Sequence, residues 1–340
     1  MTEEPGRRFA VEDSSAAGEA RRAARAFAER LGLEADAVAR VAIGVTEMVT
    51  NILKHAKVGQ LVLMPVTHEP RPALAVLALD RGPGIADLDR SMRDGVSSQG
   101  TSGTGLGAIR RQAEELGIHA PVGKGAAVLA LFRNRGGAPV AAPPAALPFR
   151  LGALRLPHPS EMVCGDAWAA APTAAGAAIL LADGLGHGLL ALEAADEAVR
   201  TFRADPSLAP GDLLERADRA MRKTRGAAVS IASANRAERT LSFAGVGNVS
   251  GALVTGFGYQ GLMCHGGIVG HEMRKVAANV YPWPAESALV LFSDGLGTRW
   301  RPEQYPGLLA CHPLLTAGVL LRDHRRERDD VTVIVARWAA

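Results

Sequence analysis

Residues 180–188 read LLADGLGHG and residues 291–298 read LFSDGLGT, so twice the chain drives an apolar run into Asp-Gly-Leu-Gly. An apolar strand buried in a core is a rigid support, and an aspartate at its end is held at a fixed point. The glycine that follows lets its backbone carbonyl approach an ion closely. Two such supports can aim their carboxylates at one place. A pair of hard divalent cations, Mg²⁺ or Mn²⁺, needs several oxygen donors. Two further segments offer them: CGD at 164–166, ending in Asp166, and RDDVTVIV at 328–335, opening a last strand with Asp329 and Asp330. Taken singly, an Asp-Gly pair marks a turn. The two copies lie in no longer repeat, which argues against a tandem-repeat architecture.

Outward from these motifs, short alternating or apolar runs follow one another: ALRLP, GAAILLAD, AAVSIASAN, TLSFAGVG, SGALVTG, SALVLFSD and DVTVIVARW. Among them lies one helical stretch, GLLALEAADEAVRTF with DLLERADRAMRKT. Many strands with one helical insertion predict two packed β-sheets flanked by helices. Upstream, NRGGAPVAAPPAALPFR at 134–150 interrupts every periodic pattern and reads as a linker between domains. Before it, SAAGEARRAARAFAERLGL and DAVARVAIGVTEMVTNILKHA carry apolar residues at helical spacing, followed by strand-like QLVLMPV, ALAVLALD and AAVLALF. The fold class expected is therefore a two-domain α/β protein. Its expected boundaries are 1–135, a linker at 136–149, and 150–340.

Composition narrows the function classes. Hydrophobic residues make up 48% and charged residues 21% of 340 residues, with a net charge of +3. No segment interleaves basic clusters with aromatics, so nucleic acid is not an expected partner. No apolar run is long enough to span a bilayer, and MTEEPGRRFAVED lacks the apolar core of a signal peptide, so a cytoplasmic location is expected, without a membrane partner. The basic run RDHRRER at 322–328 reads as a solvated face. Cys164, Cys264 and Cys311 lack metal-ligand spacing and read as structural thiols in a reducing compartment.

In the first domain, Glu47 and Asn51 lie four apart on one helix face. The strand LAVLALDRGPGI runs into Asp80, with Gly82 and Gly84 allowing a tight turn and close backbone approach. GTSGTGLGAIRRQAEEL places a glycine-rich loop before a helix, where free N–H groups can hold phosphate. In this order the three segments resemble the GHKL ATP-binding fold. The resemblance implies that Asn51 coordinates Mg²⁺ on the phosphates of ATP, that Asp80 accepts from the adenine amino group, and that Gly103, Gly105 and Gly107 form the phosphate lid. The domain is similar to switch serine kinases and anti-sigma factors of the RsbT/RsbW type, which implies Glu47 as the base that deprotonates a substrate serine. Ala126 departs from the pattern, standing where such proteins commonly carry a threonine near the adenine. His55 reads as a structural or solvent-facing residue.

The second domain's VCGD, LLADGLGHG, AGVGN, LFSDGLGT and RDDVTVIV resemble the metal-dependent type-2C serine/threonine phosphatases, in their SpoIIE/RsbX branch. That resemblance implies that Asp183 bridges two ions with help from the Gly184 carbonyl, and that Asp166, Asp294 and Asp329 complete the cluster. Asp330 is an open neighbour. The basic phosphate clamp that animal relatives carry near the start of the domain has no recognisable counterpart. His187 could act behind the metal ligands or as a proton donor, against the stronger reading of a structural loop histidine. Both resemblances together imply a partner-switching regulator with kinase and phosphatase halves, acting on STAS-domain or stressosome-type proteins. The rivals are a phosphatase with a nucleotide-sensing or anti-sigma binding domain that does not turn over, and a non-enzymatic scaffold. Oligomeric state is not legible.

Overall fold

The computed structural model describes residues 4–69, 71–92, 105–136 and 146–339. They fall into two compact units, Gly6–Pro144 and Ala145–Ala340, the second taking Met1–Pro5 with it. Residues 137–145, within the expected linker, lie outside the described residues.

The first unit runs β1 (Arg7–Val11), α1 (Ser15–Arg30), α2 (Ala35–His55), β2 (Gly59–Val66), β3 (Ala73–Asp80), α3 (Leu88–Ser91), α4 (Gly105–Gln112), β4 (Glu115–His119) and β5 (Ala127–Phe132). Its strands form one antiparallel sheet in the order β1-β2-β3-β5-β4. In α2, Val41, Val45, Met48, Val49 and Ile52 recur at three- and four-residue intervals and are buried, so this stripe faces the sheet. Gly44 lies in the same helix because a Cβ there would come within 2.5 Å of the Phe132 ring. Full burial of that ring contributes about 2–3 kcal/mol. The line Glu47, Asn51, His55 lies off the apolar stripe and stays partly accessible.

The second unit runs β6 (Phe149–Leu156), β7 (Asp166–Pro172), β8 (Gly176–Gly184), α5 (Leu189–Ala204), α6 (Pro210–Met221), β9 (Ala227–Asn235), β10 (Thr240–Val246), β11 (Ser250–Val254), β12 (Tyr259–Gly261), β13 (Cys264–His265), β14 (Asn279–Pro282), β15 (Ala288–Phe292), α7 (Pro313–His324) and β16 (Val331–Trp338). One sheet has the order β13-β10-β9-β8-β7, with β14 beside β10; the other has the order β12-β11-β15-β16-β6. Alternation along the strands builds two apolar layers. Trp168, Ile179, Leu181 and Phe243 meet Trp283, Leu291, Ile334 and Trp338 between the sheets. Leu180, Ala182, Val229 and Ile231 point the other way, onto Ala194, Ala198 and Phe202 of α5 and Leu213 and Leu214 of α6. Helix α7 packs against β6 and β16. The expected two-sheet sandwich is therefore present, with a further helix that the apolar run PLLTAGVLL did not announce.

Three expectations need correction. The helix expected after the glycine loop ends at Gln112, and β4 begins at Glu115, because its backbone pairs with β5. Strand β7 was not anticipated from its alanines; pairing with β8 and burial under α5 override their weak strand preference. The basic run is not a uniformly solvated face: Arg322 is buried and grips Asp323, while Arg326 to Arg328 are exposed. All three cysteines are free thiols, and Cys164 is buried. Among the described residues no helix is long and apolar enough to cross a membrane.

Gly152 of β6 carries the closest α7 contact, since a Cβ there would lie 2.1 Å from the backbone nitrogen of Leu314. Gly152→Ala is expected to lower stability by about 2–3 kcal/mol through overpacking against a backbone that cannot rotate away. Chemical denaturation checks this; a loss within 0.5 kcal/mol, estimated at about the level of a neutral surface change, would show that α7 slides freely.

Candidate functional site

Two clusters assemble, one in each unit. In the first, Asp80 ends β3 and its Oδ1 accepts from the backbone N–H of Gly82 at 2.8 Å and of Ala126 at 3.1 Å. The Asp80 N–H donates in turn to the Ala126 carbonyl at 2.9 Å. Ala126 thus engages Asp80 through its backbone, and its methyl adds no polar group where a threonine hydroxyl would. Gly84 and Gly125 adopt left-handed conformations, with φ of 73° and 76°, where an added Cβ would strike the Pro121 carbonyl and the Asp80 carbonyl.

Helix α4 faces α2 across this cluster. A Cβ on Gly105 would lie 3.6 Å from Asn51 Oδ1, so the first turn of α4 adjoins Asn51. Gly105 and Gly107 lie inside the helix and not in a loop ahead of it. Gly103 lies outside the described residues. Burial raises the Glu47 carboxyl above its ordinary value, and the positive charge of Arg111 on α4 opposes that rise. Burial lowers the His55 imidazole, and the Asp80 charge opposes it, which places His55 on the Asp80 side. Glu47 and His55 therefore lie within electrostatic range of Arg111 and Asp80 respectively, and Asn51 lies beside the first turn of α4. A polar cleft of the same unit, lined by Glu69, Arg71, Glu114, Glu115 and Arg133, holds ion pairs and none of these residues.

In the second unit, Asp166 and Asp183 stand opposite each other at the ends of β7 and β8. Asp294 follows β15 of the other sheet, and Asp329 and Asp330 precede β16. The sheets are tied together here: Ser293 Oγ donates to Asp166 Oδ2 at 2.7 Å, across 127 residues of sequence. Thr332 N donates to the same Ser293 Oγ at 2.9 Å. Buried Arg155 donates to the Asp166 carbonyl at 2.7 Å, and Asn248 Nδ2 donates to Asp294 Oδ2 at 2.5 Å. Ser293, Asn248 and Arg155 were missed in the sequence. Only Asn248, directly after the glycine of AGVGN, offered a local signal.

The glycines of the two Asp-Gly pairs have a steric reason. A Cβ on Gly184 would lie 2.0 Å from the Ala191 carbonyl in the first turn of α5, and one on Gly295 would lie 1.9 Å from the Asp330 carbonyl. Each glycine lets another backbone close over the aspartate before it.

Charge is concentrated at this point. Burial raises Asp166 to about 7, with the Asp330 charge adding to the rise. Asp183 is pushed well above the usual carboxylate range by burial, and then by the charges of Asp166, Asp294 and Asp329. Asp294 rises through burial and the adjacent Asp329 charge. Asp330 is only 2% exposed; its Oδ1 accepts from His158 N at 2.7 Å. Among the described residues no three His, Cys, Asp or Glu side chains converge closely enough to enclose one ion as they stand. Asp166 and Asp294 are each held by a partner of their own, and the Asp294 carboxyl lies within hydrogen-bond reach of Asp329. The donor set nevertheless suits a hard divalent cation: every candidate ligand is oxygen, and Asp166 Oδ1 and Asp330 Oδ2 are buried without any hydrogen-bond partner.

Comparison with known proteins parallels this division. Residues 10–131 match the family described as histidine kinase-like ATPase domain, and residues 173–339 match stage II sporulation protein E (SpoIIE). The serine/threonine-protein kinase RsbT of Bacillus subtilis (strain 168) is 32% identical over 112 residues, covering 33% of this chain and 84% of RsbT. A solved chain from a study of the bacterial stressosome as a modular system controlling secondary messenger signalling is 24% identical, with a TM-score of 0.51, over 56% of this chain and 99% of its own. RsbX in complex with magnesium is 21% identical, with a TM-score of 0.49, over 56% of this chain and 96% of its own. The GHKL-like first unit and the type-2C-like sandwich of the second are the folds expected from the motifs. The chain belongs to the histidine kinase-like ATPase family of RsbT through its first unit, and joins to it a SpoIIE phosphatase domain.

Proposed function

We propose that the chain is a bifunctional partner-switching regulator: a metal-dependent phosphoserine/phosphothreonine protein phosphatase fused to an ATP-dependent serine kinase, both acting on STAS-domain proteins of the stressosome type. The functional domains are taken as 1–135 and 150–340, with 136–149 as linker. The observation that carries the phosphatase half is that Asp166, Asp294 and Asp329 all lie within electrostatic range of Asp183 at the ends of two sheets, with the buried Asp166 Oδ1 left unpartnered.

Asp183 and the Gly184 carbonyl, with Asp166, Asp294 and Asp329, would hold two Mg²⁺ or Mn²⁺ ions. The ions, when bound, supply a hydroxide nucleophile and neutralise charge on the phosphoryl group. Ser293 and Asn248 each occupy one oxygen of their aspartate and so orient the other oxygen. Arg155 fixes the backbone that carries Asp166. The reading is tested by hydrolysis of a phosphoserine protein with Mn²⁺, abolished by excess chelator. Full turnover in chelator would end it.

Proton competition gives a second check. With folded values of Asp166 and Asp183 raised above the unfolded carboxylate value, the folded chain holds more protons than the unfolded chain between about pH 4 and 7. These groups therefore stabilise the metal-free fold at acid pH, and that stabilisation falls as pH rises through this window. Cation binding displaces the protons, so Mn²⁺ should raise Tm more near pH 7.5 than near pH 5.5. Thermal unfolding with and without chelator measures the difference; an equal or larger gain at the lower pH would contradict it.

In the first unit, Asn51 would hold the Mg²⁺ of bound ATP, Asp80 the adenine, and Gly82, Gly84, Gly103, Gly105 and Gly107 the turns and lid around it. Asn51→Ala or Asp80→Ala is expected to weaken ATP binding by about tenfold or more, the loss of one charged or metal-directed contact. Calorimetry on the full chain checks this, and unchanged affinity in both variants would remove the nucleotide site. Ala126, whose methyl offers the adenine pocket no hydroxyl, favours a second reading in which this unit senses nucleotide without transferring phosphate. Transfer of labelled phosphate from ATP to a STAS-domain protein decides between the two.

A further inference from the structure

The four aspartates would hold metal but offer the phosphate of a substrate no cationic side chain. Arg225 is exposed in the turn between α6 and β9, and its Nη1 lies 3.3 Å from where a Cβ of Gly186 would stand. Gly186 is the third residue after Asp183, and it adopts a left-handed φ of 87° that leaves this space open. Among the described residues Arg225 has no hydrogen-bond or ion-pair partner, although carboxylates crowd the neighbouring strand ends.

The turn that carries it is held from both sides. Leu185 N donates to the Gly226 carbonyl at 3.0 Å, Gly226 N to Thr224 Oγ1 at 3.0 Å, and Thr224 Oγ1 to the Met221 carbonyl at 2.8 Å. A guanidinium on a turn so anchored, unpaired and near the aspartate-bearing strand ends suits a tetrahedral oxyanion.

An apolar rim adjoins it. Leu185, Leu189 and Leu190 are 50%, 67% and 49% exposed, and Met162 is 83% exposed. Glu161 joins the two loops that carry them: its Oε1 accepts from or pairs with His187 Nδ1 at 2.8 Å and lies 3.3 Å from a Gly188 Cβ. The His158 and His187 rings stack at 4.8 Å between the same loops. A free phosphomonoester metabolite would make no use of such a rim, whereas a protein segment with apolar residues beside its phosphoserine would cover it.

We infer that Arg225 receives the phosphate of the substrate, and that Met162, Leu185, Leu189 and Leu190 receive the apolar flank of a phosphorylated protein segment. This rests on the phosphatase reading and names the substrate chemistry of that site.

The test uses the full chain loaded with Mn²⁺ and three substrates: p-nitrophenyl phosphate, a phosphoserine peptide flanked by leucines, and the same peptide flanked by serines. Arg225→Ala should lower kcat/KM on all three by about tenfold or more, chiefly through KM, because the contact is made in ground and transition states alike. Arg225→Lys should recover part of the loss, since it restores charge without the two-pronged geometry. Mn²⁺ affinity by calorimetry should be unchanged in both variants. Wild-type protein should prefer the leucine peptide, and the double variant Met162→Ser, Leu189→Ser should bring the ratio between the peptides to about one.

Arg225→Ala within twofold of wild type, a tenfold weaker Mn²⁺ affinity in that variant, or equal wild-type turnover of the two peptides would each overturn the inference while leaving the phosphatase reading intact. A wild-type protein that hydrolyses none of the three substrates would sink the phosphatase reading, and the inference with it.

Discussion

Asp183→Asn is expected to lower metal-dependent hydrolysis of phosphoserine at least about a thousandfold, a loss of about 4 kcal/mol in transition-state stabilisation. The substitution keeps the shape of the side chain and removes its charge. The charges of Asp166, Asp294 and Asp329 all act on Asp183, so in the proposed site it would hold metal together with them. The same substitution should leave the metal-free protein folded and somewhat more stable at neutral pH, because a costly buried carboxylate is gone. ATP affinity should not change, since Asn51 and Asp80 lie in the other compact unit. Steady-state kinetics with Mn²⁺, thermal unfolding and calorimetry with ATP separate these outcomes. A variant retaining more than about a tenth of the activity would remove Asp183 from the reaction.

Glu47→Ala should act in the opposite direction on the same partners. Glu47 is partly buried on α2, and burial raises its carboxyl above its ordinary value, the direction that strengthens a carboxylate as a base. The positive charge of Arg111 opposes that rise. Loss of a general base costs about 10²- to 10⁴-fold in rate. Within a cell, Glu47→Ala should therefore shift STAS-domain partners toward the unphosphorylated form and Asp183→Asn should shift them toward the phosphorylated form. The proposed linker would let either proposed site reach one bound partner. Quantitative phosphopeptide measurements in the two strains compare the signs. Shifts in the same direction, or shifts confined to unrelated proteins, would exclude a shared substrate.

Much of the architecture is local and therefore legible. The apolar stripe of α2 repeats within one helix, and β8 and β9 of the second unit are nine-residue strands buried along most of their length. Asp80, Asp183 and Asp294 each end a strand that the sequence announces by an apolar run. What escaped was short or atypical. Strand β7 is rich in alanine, β4 pairs only because β5 offers an edge, and α7 is buried on every side and so has no polar face to mark its period.

The sequence by itself determined the longer periodic strands and helices, and it placed the candidate carboxylates at or just beyond strand ends, because periodicity and turn chemistry act over a few residues. Tertiary structure alone decided what surrounds them. The bond from Ser293 to Asp166 spans 127 residues, and Asn248 reaches Asp294 from a different strand. Gly184 and Gly295 are required by the Ala191 and Asp330 carbonyls that pack against them, and Arg225 arrives beside Gly186 from the end of another helix. Such contacts depend on how two sheets stack and where their edges coincide. That is set by the packing of Trp168, Phe243, Trp283 and Trp338 between the sheets, and no short window of sequence contains it.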